Sequence, residues 1–229
     1  MNGTTHMTIG ALTGGLVLAH SIAANTLSLN VSGYEIYPII VTIAAAMGGL
    51  SPDVDIAHSK AGRVLRKLLR TGFIASAVFM LIMAVMPQTG IEILDGAIGM
   101  GARVNRGVPL ILAVFCIFIM LVIEKSKHRG FTHTIIGLAL VAMPLAFMLI
   151  TGVRFIGADI AASAQIGFVL GWLSHMVIDT FNRGGVPWLW PLTRKRIKVM
   201  RIGTGTKAEG KFAAASTLLF ILCYILIIV

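Results

Sequence analysis

The chain has 229 residues, enough for one domain or at most two, and 57% of them are apolar while only 12% are charged. A soluble globule of this size carries roughly 25% charged residues, so the composition excludes disorder and strains a soluble reading. Nineteen Lys and Arg against nine Asp and Glu leave a net charge of +10, which keeps three classes open: a polytopic membrane protein, a greasy nucleic-acid binder and a membrane-surface protein.

A helix needs about 20 mostly apolar residues to cross a bilayer. In chain order the candidate runs are Met7–Ala24, Tyr34–Leu50, Thr71–Met86, Val108–Ile123, Thr134–Ile150, Gln165–Phe181 and Phe212–Val229. The first is the weakest, because it carries His20, two threonines and three glycines. The predicted architecture is therefore all-α: a polytopic helical membrane bundle of about seven transmembrane helices, forming a single integral membrane domain over 1–229. Turn chemistry separates the runs at Asn30–Gly33, Ser51-Pro52, Pro87–Gly90 and Gly184–Pro187. No basic segment precedes the first apolar run, so no cleaved secretory signal is expected. Cys116 and Cys223 each sit inside an apolar run and read as small core hydrophobes, not as a disulfide pair.

Seven spans sort the connectors onto two sides. The side shared with the N-terminus receives Ser51–Arg70, Glu124–His133 and Asn182–Lys211, and with them sixteen of the nineteen Lys and Arg. Only Arg103, Arg106 and Arg154 fall on the other side. Cytoplasmic loops carry the Lys/Arg excess, which makes the N-terminal side cytoplasmic. Basic loops beside spans serve topology and meet anionic lipid headgroups. The longest basic stretch, Thr193–Arg201, lacks the interleaved aromatics of a single-strand platform. The expected partner is the lipid bilayer, with no nucleic acid, and Trp188 and Trp190 read as interfacial anchors.

Once the basic loops are set aside, His6, Asp53, Asp55, His58, His128, His133, His175 and Asp179 remain, all at the cytoplasmic ends of spans or in adjoining turns. Ionisable groups at membrane depth are costly and default to functional candidates. Convergence of His and Asp is what a borderline divalent metal needs. His6 follows Thr4-Thr5, plausible cap residues, and falls in the first turn of helix one. Pro52 forbids continuation of the second helix and biases Ser51 towards an extended conformation. In such a turn Asp53 and Asp55, two apart, project to one side and repel unless a cation lies between them. Around Gly130 and Thr132, His128 and His133 read as a turn feeding a cap, with His133 opening the next helix. Arg129 between them is an anion clamp for a phosphate or carboxylate. His175 and Asp179, four apart on an apolar helix, share one face. His20 lies about 20 Å along the helix from His6 and reads as a core histidine, while His58 sits apart in a basic loop. Each motif also has a plainer reading: an interfacial or capping histidine, an Asx-turn, a polar loop, a polar pair joining helices.

Together, Thr5-His6, Gly-Leu-Ser-Pro-Asp53-Val-Asp55, His128-Arg-Gly-Phe-Thr-His133, His175-Met-Val-Ile-Asp179 and Gly185-Val-Pro-Trp-Leu-Trp-Pro191 resemble the YdjM-type integral membrane proteins, a family designated membrane-bound metal-dependent hydrolases. The resemblance runs from about His6 to Pro191. It implies a bacterial or archaeal membrane protein with metal ligands at His6, Asp53, Asp55, His128, His133, His175 and Asp179. One segment departs from it: where the family reads Asp-x-x-Thr-Pro-x-Gly, this chain has Asp179-Thr-Phe-Asn-Arg-Gly-Gly. The His-x-x-x-Asp helix is more loosely similar to zinc-dependent phospholipase C.

The leading expectation is a metal-dependent hydrolase at the cytoplasmic membrane face. Seven candidate ligands exceed the four of one tetrahedral site, so one or two divalent ions, zinc foremost, are expected. One of Asp53, Asp55 or Asp179 acts as general base and Arg129 holds the substrate anion. A lipid-like or amphiphilic phosphoester suits that depth and charge. Two rivals are an ion-coupled transporter and a noncatalytic membrane protein with a structural metal. Against the first, the polar groups cluster at one face and no repeat halves appear.

Overall fold

The computed structural model describes residues 1–55, 130–151 and 157–229, together with scattered helical positions between 67 and 122. Side-chain surroundings are described for these residues except 54, 55, 144–151 and 158. The expected spans Thr71–Met86 and Val108–Ile123 are described only at such scattered positions, all of them helical.

Helix α1, Gly3–Ala23, begins where the Asn2 side chain accepts the Thr5 amide at 2.9 Å, so the cap is Asn2 rather than Thr4 or Thr5. A two-stranded antiparallel hairpin follows, β1 (Leu29–Val31) and β2 (Tyr34–Ile36), turning through Ser32 and Gly33 at φ 52° and 86°. Positive φ at both central residues is the turn that matches strand twist. The second apolar run therefore opens as strand, not helix. Tyr37 stays extended ahead of Pro38, and α2 covers Pro38–Leu50 with proline in its first turn. Thirteen residues rise only about 20 Å, short of the roughly 30 Å hydrocarbon core.

A 3-10 turn, Ser51–Asp55, continues directly from α2. Ser51 is helical, at φ −63° and ψ −38°, and its hydroxyl donates to the Met47 carbonyl at 2.8 Å. The extended turn expected before Pro52 is thus absent. With three residues per turn, positions two apart no longer share a side. Helix α3 covers Ile135–Thr151, α4 Ala158–Asp179 and α5 Lys207–Ile228.

Helices α1, α4 and α5 are each long and apolar enough to cross a membrane. The weakest sequence run, Met7–Ala24, thus belongs to one of these three. In the core of the bundle α2 packs against both α1 and α4, and small residues set the spacing. A Cβ at Gly10 would lie 2.5 Å from the Ala45 carbonyl oxygen, and one at Gly49 2.5 Å from that of His6. Only glycine permits so close an approach of backbones. Helix α3 joins through Phe131, Leu138 and Val141 against Trp172, Met176 and Val186. Helix α5 packs on α1 and leaves Leu218, Leu222 and Leu226 exposed on its outer side.

The chain after α4 is pinned back over the helix ends. Val199 N–H donates to the Thr180 carbonyl at 2.8 Å, and Val186 and Ile197 exchange bonds at 3.1 and 2.9 Å. The Ile135 amide, at the start of α3, donates to the Trp188 carbonyl at 3.1 Å. In the segment that departs from the family pattern, the Gly185 amide donates to the Asn182 carbonyl at 3.1 Å, so the chain turns through Arg183 and Gly184, and Gly185 takes φ 61°.

Candidate metal centre

His6 closes the first turn of α1, Asp53 stands in the 3-10 turn after α2, His133 in a 3-10 turn just before α3, and His175 and Asp179 in the last turns of α4. All five lie at the same end of the bundle. Their burial is near complete: the side chains of His6, His133 and His175 are 0% exposed, Asp179 1% and Asp53 13%.

The His133 turn is built from Phe131–His133, and the cap of the helix that follows is Thr134, two residues later than a helix opening at His133 would have it. Thr134 is extended and its hydroxyl accepts the Gly137 amide at 2.8 Å, the bond expected of an N-cap. His133 is thereby held outside the helix. Its Nδ1 lies 3.0 Å from the Thr132 hydroxyl, which leaves Nε2 directed at the cluster.

His175 is held more firmly. Its Nδ1 lies 2.7 Å from the Gly49 carbonyl oxygen. A carbonyl only accepts, so Nδ1 carries the proton and Nε2 of the neutral ring keeps its lone pair. This carbonyl–histidine arrangement is the one that orients imidazoles towards metals. From that Nε2, His133 Nε2 is 3.2 Å away, Asp53 Oδ1 3.6 Å and Asp179 Oδ2 3.9 Å. His133 Nε2 is itself 3.6 Å from Asp53 Oδ1 and 3.6 Å from Asp179 Oδ2.

His6 stacks on His175, with ring centroids 3.7 Å apart and planes 22° apart. Its Nε2 is 3.2 Å from Asp179 Oδ1, yet neither ring nitrogen makes a well-directed hydrogen bond. The Met1 amino nitrogen lies 3.4 Å from the same oxygen. Two sets of donors result, His6–His175–Asp179 and Asp53–His133–His175, with the donor atoms of each set within 4.8 Å of one another. Nitrogen and carboxylate donors at this spacing suit a borderline divalent ion. His6 is buried with neither ring nitrogen hydrogen-bonded, and an ion between His6 and Asp179 would take the lone pair of its Nε2.

Burial would raise the Asp53 carboxyl. Its interaction with His133, and the proximity of the His175 and His6 rings, outweigh that and hold it below the usual carboxylate range. Asp53 is therefore an anion at neutral pH.

Of the residues singled out in the sequence, His6, Asp53, His133, His175 and Asp179 come together. Asp55 is described in its backbone only, and His58, His128 and Arg129 lie outside the described residues. Sequence reasoning missed the Gly49 carbonyl, Thr132 and Glu209. Glu209 is a buried acid in the first turn of α5, and only its capping-box spacing from Thr206 marked it out.

A family model described as YdjM inner membrane protein matches residues 1–229, and the chain belongs to that family. It is 40% identical over 84 residues to the inner membrane protein YdjM of Escherichia coli (strain K12), a stretch covering 36% of this chain and 40% of that protein. The protein of the same name from Shigella flexneri matches to the same extent. The match thus spans about two-fifths of the length of these relatives. No solved structure matches the chain. Family membership and the three apolar helices of spanning length among the described residues together describe a bacterial membrane protein.

Proposed function

We propose that this member of the YdjM inner membrane protein family is a metal-dependent hydrolase, with its His/Asp centre at the cytoplasmic membrane face, acting on a lipid-like or amphiphilic phosphoester. One observation carries the reading: donors from four chain segments surround the His175 Nε2, whose lone pair is kept available by the Gly49 carbonyl. That nitrogen can serve one ion. His133, His175 and Asp53 would hold it, with Asp179 alongside, while His6 and the other Asp179 oxygen would serve a second. Three imidazoles and two carboxylates favour zinc. When bound, the ion supplies Lewis acidity and makes water a nucleophile near neutral pH.

The chain's own residues do the rest. Asp53 is the most exposed member of the cluster, so approach is from its side, and where His133, His175 and Asp179 hold the ion its carboxylate is the one placed to accept a proton from the substrate side. Asp179, bonded within the cluster and all but buried, is a ligand first. Asp55 is the alternative base, and Arg129, next to the His133 turn in sequence, takes the substrate anion. Helix α1 begins, α2 ends, α3 begins and α4 ends at the cluster, an alternation compatible with a multi-pass chain of seven spans, and the Lys/Arg excess of the connectors on this side supports a cytoplasmic face. Beside the cluster, Arg194, Lys195, Arg196, Lys198 and Arg201 are exposed among exposed Leu192, Val199 and Met200. That mixture fits a layer of anionic headgroups, from which an amphiphile would arrive.

The test is a hydrolysis screen of zinc-loaded protein over phospholipids, isoprenoid phosphates and model phosphoesters. Turnover that falls at least about 100-fold in Asp53→Ala is the expected result, the loss of a general base alone being of that order. No turnover on any phosphoester, from protein that does carry metal, contradicts the hydrolase and leaves a structural metal.

A further inference from the structure

Glu209 is 3% exposed, the most deeply buried glutamate among the described residues, and it lies outside the motifs that carry the family resemblance. It enters α5 through a capping box in which the Thr206 hydroxyl accepts the Glu209 amide at 3.3 Å. Its carboxylate turns elsewhere. Oε1 accepts the backbone amide of Asn2 at 2.5 Å and the Thr5 hydroxyl at 3.3 Å, and Oε2 accepts the Gly205 amide at 2.6 Å. Asn2 is the cap of α1, and its side chain in turn holds the Thr5 amide and hydroxyl at 2.9 and 2.8 Å. His6 follows Thr5 and donates its amide to the Asn2 carbonyl at 3.3 Å. A negative charge at a helix N-terminus is favourable in itself. Here it also ties the first turn of α1 to the first turn of α5, two elements joined nowhere else by side-chain hydrogen bonds near the cluster among the described residues.

We propose that Glu209 is a positioning residue: by clamping Asn2 and Thr5 it holds His6 in stacking contact with His175 and within reach of Asp179. Its consequence for metal affinity rests on the metal-centre reading above; the placement of His6 does not. A glutamine cannot replace it. Either orientation of the amide sets its NH2 group against a backbone N–H, of Asn2 or of Gly205.

The test is zinc affinity of the full chain in detergent, by competition with a chromophoric chelator, in a cycle of Glu209→Gln and His6→Ala. Glu209→Gln is expected to weaken zinc binding roughly tenfold, the usual scale for a group that supports a ligand, with no further loss when His6 is already alanine. Thr5→Val, which removes one donor to the same carboxylate, is expected to act in the same direction and less. The second readout needs no metal: acylation of histidines by diethyl pyrocarbonate, located by mass spectrometry. Buried His6 is expected to be protected in the wild-type chain and reactive in Glu209→Gln, while His20, exposed near the end of α1 rather than in the core as its sequence position suggests, reacts in both. Equal weakening with and without His6, or unchanged zinc affinity together with a protected His6, overturns the proposal. A wild-type chain that takes up no zinc overturns the metal centre instead, and the acylation pattern then decides for or against Glu209.

Discussion

The two ends of the bundle both gather acidic and hydroxyl groups, and they treat them in opposite ways. At the hairpin end, Asp159 accepts the Glu35 amide at 3.0 Å, and Glu35 accepts from Ser28 and from Asn30. Ser163 bridges the Tyr37 amide and the Asp159 carbonyl at 2.8 and 2.6 Å. Donors there answer acceptors, and the network closes on itself. At the other end, two carboxylates and three imidazoles face one another, His6 has no well-directed hydrogen bond, and two Nε2 atoms stand 3.2 Å apart. The difference teaches that a count of acids does not find a site. A satisfied network holds structure, whereas a buried set of donors aimed at a common point is built for something else.

Perturbing each end should separate these roles. The largest effect is expected at the shared ligand: His175→Ala removes a donor common to both sets and should abolish stoichiometric zinc uptake while leaving the helical circular dichroism in place. A smaller effect is expected one bond away. Thr132→Val removes the hydroxyl at His133 Nδ1 and should weaken zinc binding about tenfold without abolishing it, measured by chelator competition. The smallest belongs to the other end. Asp159→Ala leaves the Glu35 amide without its partner and should cost about 1 kcal/mol of stability, read as a lowered midpoint of thermal unfolding in detergent, with zinc uptake unchanged. Loss of zinc in that variant would mean that the two ends are not independent.

Much of this was legible in the sequence, and for identifiable reasons. Apolar length located α1, α4 and α5, and the spacing of His175 and Asp179 placed both on one helical face. The convergence of His6, Asp53, His133 and those two was readable because each sits where an apolar run begins or ends. Local backbone detail was less so. Pro52 restrains the residue before it, yet Ser51 stays helical because α2 passes straight into a 3-10 turn and the Ser51 hydroxyl bonds back to Met47. In the sequence Tyr34–Ile36 reads as the opening of the apolar run that follows, although it carries Glu35; the Ser32-Gly33 turn makes it a strand. What periodicity cannot carry is contact across the fold. The Gly49 carbonyl on His175 Nδ1 and the Glu209 carboxylate on Asn2 join residues 126 and 207 positions apart.

The central claim, that this end of the bundle is a metal centre, is tested most directly by elemental analysis of protein purified without chelator. The account predicts roughly one to two equivalents of divalent metal, zinc foremost, in the wild type and in Asp159→Ala, and next to none in His175→Ala. A metal-free wild type, or a His175→Ala chain carrying as much metal as the wild type, would contradict it.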